Sequence, residues 1–265
     1  GYVMILAVDV GNSNTTVGLF NGTGELLFRA LLETSRSKTR DQCAIELLGV
    51  FQLYGADACT VDGAILSSVV PPLTTIFTDA IARLTGIPPM VVGPGIRTGL
   101  NIKAEIHNQL GSDIVASSVA AIAKYPSPIV MVDMGTATSL SLIVGSVYEG
   151  CIIMPGLALA LDALSERAAA LPPISIETAS PVGLMGHTTE EAMRSGVLYG
   201  HASMVDGMLE RIEESIGQSV TTVATGGNAP RILRYCKRPI QYDADLIMTG
   251  LYLLYQKNAK KYRKA

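Results

Sequence analysis

Residues 5–20 read ILAVDVGNSNTTVGLF, and residues 129–144 read IVMVDMGTATSLSLIV. At a constant offset of 124, Asp9 falls on Asp133, Gly11 on Gly135, Asn12 on Thr136 and Asn14 on Thr138. Each copy is an apolar run, then Asp-x-Gly, then a short polar set, then a second apolar run. A repeat of so long a period is no solenoid; it predicts two halves built on one plan, facing each other. In each half a buried strand feeds the Asp, and the Gly lets the backbone turn sharply. The small residues beyond it (Asn12, Ser13, Asn14, Thr15; Thr136, Ala137, Thr138, Ser139) add donors without bulk. Such a turn can receive phosphate oxygens on its N–H groups. The adjacent carboxylate suits a cation, held directly or through water. One Asp-x-Gly alone reads first as an ordinary hairpin turn. Turn geometry gives no reason for two copies to carry Asp, Gly and hydroxyls in register.

The rest of the composition narrows the class. A chain of 265 residues is long enough for two compact domains. With 48% hydrophobic and 16% charged residues, it reads as a well-cored soluble protein. A formal charge of −3 offers no basic face for nucleic acid, and the absence of Trp argues against a base-stacking platform. Cys43, Cys59, Cys151 and Cys236 have neither CxxC nor zinc spacing, and read as reduced thiols of a cytoplasmic protein. His107, His187 and His201 form no metal pattern. No apolar run approaches the length of a membrane span, and no secretory leader is expected. The basic tail (Lys257, Lys260, Lys261, Arg263, Lys264) reads as a solvated helix end.

Taken in order, the chain predicts a three-strand meander at 3–10, 15–20 and 25–32, with a tight turn at Asn21-Gly22. A helix near 39–54 has Cys43, Leu47, Val50 and Tyr54 at helical spacing. A strand at 63–69, a helix at 73–85 and a strand at 89–93 complete the first half. GPGIRTGL (93–100) is a shaped loop, either a linker or a ligand-lining segment. Asp113 opens a helix over 113–124 and serves equally as an N-cap or as an acid–base residue. The second meander spans 128–134, 138–145 and 147–154, turning at Gly145-Ser146. A helix follows Pro155-Gly156, with Leu157, Leu161, Leu164, Ala168 and Leu171 on its apolar face. Thr188-x-x-Glu191 is a capping-box signature for a long helix to about 216, striped by Met193, Val197, Met204, Met208, Ile212 and Ile216. On that helix Gly196 and Gly200 permit close contact, within the chain or with a second subunit. A short strand at 220–224 ends in Gly226-Gly227, and a final helix spans 243–258. No P-loop and no G-x-G-x-x-G after a strand occurs, so nucleotide binding rests on the two hairpins.

The doubled hairpins resemble those of the acetate-and-sugar-kinase, heat-shock-chaperone and actin superfamily. Together with GPGIRTGL (93–100), LGSD (110–113), PGLALALDALSERAAALPPI (155–174), GHTTEEAMRSG (186–196) and ATGGNA (224–229), the chain resembles type III pantothenate kinase over nearly its whole length. The resemblance implies an α/β chain of two ribonuclease-H-like domains facing each other across an ATP cleft, the actin-like ATPase fold. We set these at 1–112 and 113–265. It implies ATP-dependent phosphorylation of pantothenate, the first step of coenzyme A synthesis, by a cytoplasmic homodimer with no nucleic-acid or membrane partner. Asp113 is then the general base. Asp9, Val10, Gly11, Asn12, Ser13, Asn14, Thr15, Thr16, Thr136, Gly226 and Gly227 would bind ATP. Asp9 would hold Mg²⁺ through water, and Asp133 a monovalent cation, K⁺ or NH₄⁺. Gly111, Ser112, Asp113, Ile114 and Thr189 would bind the acceptor. The family places Arg after the catalytic Asp, and here that position is Ile114. An apolar side chain cannot pair with a carboxylate as Arg does. Arg97, Lys103 or Arg194 would have to substitute. Two alternatives therefore stand beside pantothenate kinase: a kinase for another small alcohol, and a non-catalytic nucleotide-binding regulator.

Overall fold

The computed structural model describes residues 3–103, 105–106, 109–167 and 182–259. His107, the expected apolar positions Ala168 and Leu171, and tail residues Lys260, Lys261, Arg263 and Lys264 lie outside the described residues. The chain forms two compact units, one comprising Gly1–Ala123 with Asp245–Ala265 and the other Lys124–Ala244.

In the first unit, β1 (Ile5–Val10), β2 (Asn14–Phe20) and β3 (Leu26–Glu33) make the expected meander. Its second turn, between β2 and β3, is wider than Asn21-Gly22. Asn21 donates its N–H to Glu25 O, its side chain accepts from Thr23 N and Glu25 N, and Gly24 takes the positive φ of 85°. Helix α1 (Arg40–Leu53) is closed at its start by a Thr39–Gln42 capping box and buries Cys43, Leu47, Val50 and Phe51. Tyr54, expected on that stripe, is the C-cap, and its ring stacks on Phe28 at 4.7 Å. After β4 (Gly63–Ser68), α2 (Pro71–Thr85) starts two residues earlier than expected. Its prolines occupy the first turn, where a missing N–H costs nothing. Then come β5 (Met90–Val91), the two-residue β6 (Asn101–Ile102) and α3 (Ser112–Lys124). The sheet order is β3-β2-β1-β4-β5, with β1–β4 and β4–β5 parallel.

The second unit repeats this plan. Its strands are β7 (Ile129–Met134), β8 (Ala137–Val144), β9 (Val147–Pro155), β10 (Thr221–Thr225) and β11 (Gln241–Tyr242). Their order is β11-β10-β7-β8-β9, with β7–β10 and β10–β11 parallel. Even the register shift recurs, between Leu19 and Phe20 in one meander and between Leu142 and Ile143 in the other. Between β9 and β10 lie α4 (Leu157–Arg167) and the 28-residue α5 (Thr189–Ile216); α6 (Ala229–Leu233) follows β10. The buried face of α5 runs through Leu198, Ala202, Val205 and Leu209, while Met204, expected on the stripe, is 38% exposed.

The central strand β1 buries both faces, successive residues entering opposite cores by simple alternation. In β1, Leu6, Val8 and Val10 enter a core with α1 and α2, while Ile5 and Ala7 enter one with α3 and α7 (Leu246–Asn258). The boundary expected at 112/113 therefore moves, since α3 and the final helix both belong to the first unit. The reason is packing. Met248, Leu251, Tyr252, Leu254 and Tyr255 of α7 share a core with Ile5, Phe20 and Ile65, and Tyr252 stacks on Phe20 at 4.8 Å. A Cβ on Gly250 would lie 1.8 Å from Ala116 O, so α7 and α3 touch backbone to backbone. The chain leaves the second unit almost where it entered. Asp243 Oδ2 accepts from Lys124 Nζ at 2.5 Å and from Tyr125 Oη at 2.7 Å. Burial and that carboxylate push the Tyr125 hydroxyl up to about 12.

Candidate active site

In the first unit the chemistry gathers at the C-terminal ends of β1 and β4. Period-two alternation puts half-buried Asp9 on the face of Ile5 and Ala7, which α3 and α7 cover. Its register partners are Thr16 on β2 and Ser67 on β4. Ser67 is fully buried, and its hydroxyl meets Ser112 Oγ at 2.9 Å; Ser112 also donates to Ser68 O. These serines seat the start of α3 against β4. The sequence offered no signal for Ser67, since a lone Ser at a strand end carries no pattern.

The next residue is Asp113. Its Oδ1 accepts from Ile114 N at 2.9 Å. Burial pushes its carboxyl above the ordinary range, against the pull of that N–H and its own. A Cβ on Gly111 would fall 2.5 Å from Asp113 Oδ1, so a larger residue there would push that carboxylate aside. The structure thus joins Gly111, Ser112 and Asp113 to the face that carries Asp9, with Ile114 half-buried beside them.

The first hairpin closes through Gly11 N–H to Asn14 O at 2.9 Å. Asn12, Ser13 and Asn14 are exposed at its tip. Val10 is buried in the core, leaving its backbone as its only contribution. Thr15 is also buried; its hydroxyl meets the Thr34 hydroxyl at 2.9 Å, and Thr34 N–H donates to Ser13 O. Arg36, which the sequence did not single out, donates to Asn12 Oδ1 at 3.1 Å and brings a cation to the tip.

The second hairpin is one residue shorter. Gly135 N–H closes it on Ala137 O at 3.1 Å, Val10 pairs with Thr15, and Met134 pairs with Thr138. Thr15, rather than Asn14, is therefore the counterpart of Thr138. Asp133 is half-buried and Thr136 is exposed. Gly226, at φ 99°, runs so close to β7 that a Cβ would meet Met134 O at 2.5 Å, while Gly227 beside it is open. Asp133, Thr136, Gly226 and Gly227 thus cluster at the ends of β7 and β10, where Thr225 is the register partner of Asp133. Thr189 stands apart, exposed at the start of α5 next to its N-cap Thr188.

Among the described residues no three His, Cys, Asp or Glu side chains gather. Asp9 and Asp133 are single carboxylates, a donor set that fits a cation completed by water and phosphate oxygens. Of the cations considered in place of an Arg at 114, Arg194 pairs with Glu190 at 2.8 Å. The backbone N–H and C=O of Arg97 are both held by the Asn258 side chain, at 2.9 Å each.

The profile of type III pantothenate kinase matches residues 5–211. The chain belongs to the type III pantothenate kinase family. A type III pantothenate kinase from Exiguobacterium sp. is 39% identical over 258 residues, covering 97% of this chain and 100% of that protein. Two solved structures show the fold. Component A of the (R)-2-hydroxyglutaryl-CoA dehydratase of Acidaminococcus fermentans has a TM-score of 0.58 at 12% identity, covering 96% of this chain and 97% of that one. The ROK hexokinase of Thermus thermophilus has a TM-score of 0.53 at 14% identity, covering 98% and 100%. Type III pantothenate kinases are phosphotransferases, and this member has the actin-like ATPase fold expected of them.

Proposed function

We propose that this chain transfers the γ-phosphoryl group of ATP to the primary hydroxyl of pantothenate, giving 4′-phosphopantothenate, the first step of coenzyme A synthesis. Asp113 is the general base. What supports this is the position of Asp113 on the face that carries Asp9, with its carboxyl lifted toward proton-accepting strength by burial. As the substrate oxygen forms its bond to phosphorus, Asp113 takes the hydroxyl proton and ADP departs with the electrons of the broken P–O bond. Phosphoryl transfer asks mainly for positioning and charge stabilisation. The amides and small side chains of 11–16, with Thr136, Gly226 and Gly227, supply positioning for ATP. Magnesium, when bound, neutralises the phosphate charge, and Asp9 would hold it through water. Asp133 would hold K⁺ or NH₄⁺. Gly111, Ser112, Ile114 and Thr189 contact the acceptor. The working protein is a cytoplasmic homodimer.

A second reading rests on Ile114, half-buried and apolar beside the base. It remodels the acceptor pocket for another small alcohol. One assay separates the readings: ADP release with pantothenate, Mg²⁺ and K⁺. Pantothenate-dependent turnover that falls about 10²–10⁴-fold in Asp113→Asn supports the proposal. Turnover only with other alcohols favours the second reading. ATP binding without acceptor-dependent turnover leaves a nucleotide-binding regulator.

A further inference from the structure

A buried polar pair lies under the second hairpin. Thr138 is 1% exposed and His201, on α5, is 3% exposed. Thr138 Oγ1 and His201 Nε2 meet at 2.9 Å, 63 residues apart in the chain. His201 Nδ1 is buried with no hydrogen-bond partner among the described residues. Burial also lowers the pKa of the ring, keeping it neutral. A buried N–H without an acceptor is the rarer and costlier arrangement, so the proton belongs on Nε2 and is donated to Thr138.

The first hairpin explains what this bond does. There the counterpart Thr15 is held by the hydroxyl of Thr34, whose N–H also donates to Ser13 O. In the second hairpin the matching N–H, donating to Thr136 O, comes from Gly156. That position must be glycine, because a Cβ would lie 2.1 Å from Thr136 O. Glycine has no hydroxyl to give. We propose that His201 is a positioning residue for the second hairpin, its Nε2–H reaching from α5 to fill the place that the Thr34 hydroxyl fills in the first. The bond then sets the shape of the turn between Asp133 and Thr138. Its effect on ATP rests on the reading of that turn as a nucleotide contact.

Two substitutions test it on the full chain. The Gln amide nitrogen reaches the place of Nε2, whereas that of Asn stops near Nδ1. His201→Gln should keep the KM for ATP, and the hydrogen-exchange rate of the Gly135 amide, within about twofold of the parent. His201→Asn should raise both about tenfold, with kcat less affected and exchange in the first hairpin unchanged. Thr138→Val should match His201→Asn, and the double substitution should be no worse than either alone. Identical behaviour of the Gln and Asn variants, or nitrogen spectra placing the proton on Nδ1, would overturn the proposal. If the parent shows no turnover, the functional reading fails by itself, and the exchange comparison still judges His201.

Discussion

Asp113 is asked to be half-buried and ionised at once, and the two demands conflict. Its folded-state pKa is raised, so its proton is held more tightly in the folded chain than in the unfolded one. The favourable contribution is then fully present below the unfolded value and lost as pH rises through the folded one. At neutral pH the bare carboxylate is a net cost. Asp113→Asn, which mimics the protonated form, is therefore expected to melt a few degrees above the parent at neutral pH. The two should converge as the medium is acidified below the carboxylate range, in melting curves taken across pH. A substitution that lowers turnover while stabilising the chain would mark a residue kept for chemistry. The sequence made Asp113 visible as a helix-opening acid. It could not reveal Ser67, whose link to Ser112 spans 45 residues, nor the role of His201, which read only as one of three scattered histidines. Contacts formed across such separations leave no periodic or local signal.

At the scale of elements, glycines divide into those that admit a neighbour and those that do not. Gly250 on α7 lies against the Ala116 carbonyl, a backbone atom that cannot swing aside. Gly250→Ala should cost about 1–3 kcal/mol by overpacking, read as a lower urea midpoint with unchanged slope. Gly207 on α5 has open space where its Cβ would stand, and Gly207→Ala should instead gain roughly 0.5–1 kcal/mol from helix propensity. Most elements were legible in advance, because both meanders and the capped helices α1 and α5 announce themselves by alternation and capping residues. The hairpin pairing was legible only to within one residue. A constant offset cannot register that the second turn is shorter, since Asn14 and Thr138 are equally plain polar residues on paper.

For the whole molecule, the expected cut at 113 missed the return of α7. An amphipathic helix advertises that it buries a face, but not which sheet receives it. Here the recipient is the first unit. Each large side chain so buried contributes about 1.5–3 kcal/mol, and five of them rival the roughly 5–15 kcal/mol that keeps a domain folded. A fragment of residues 1–123 should therefore unfold or aggregate, whereas 124–244 should melt cooperatively, as circular dichroism of the two fragments would report. The Lys124–Asp243 pair brings the ends of the second unit together, so that unit is one unbroken loop of chain. On the ribosome this inverts the order of completion. The first unit's sheet must wait, with one side covered by α3 alone, until α7 emerges. The portion translated in the middle can settle as soon as it clears the exit tunnel.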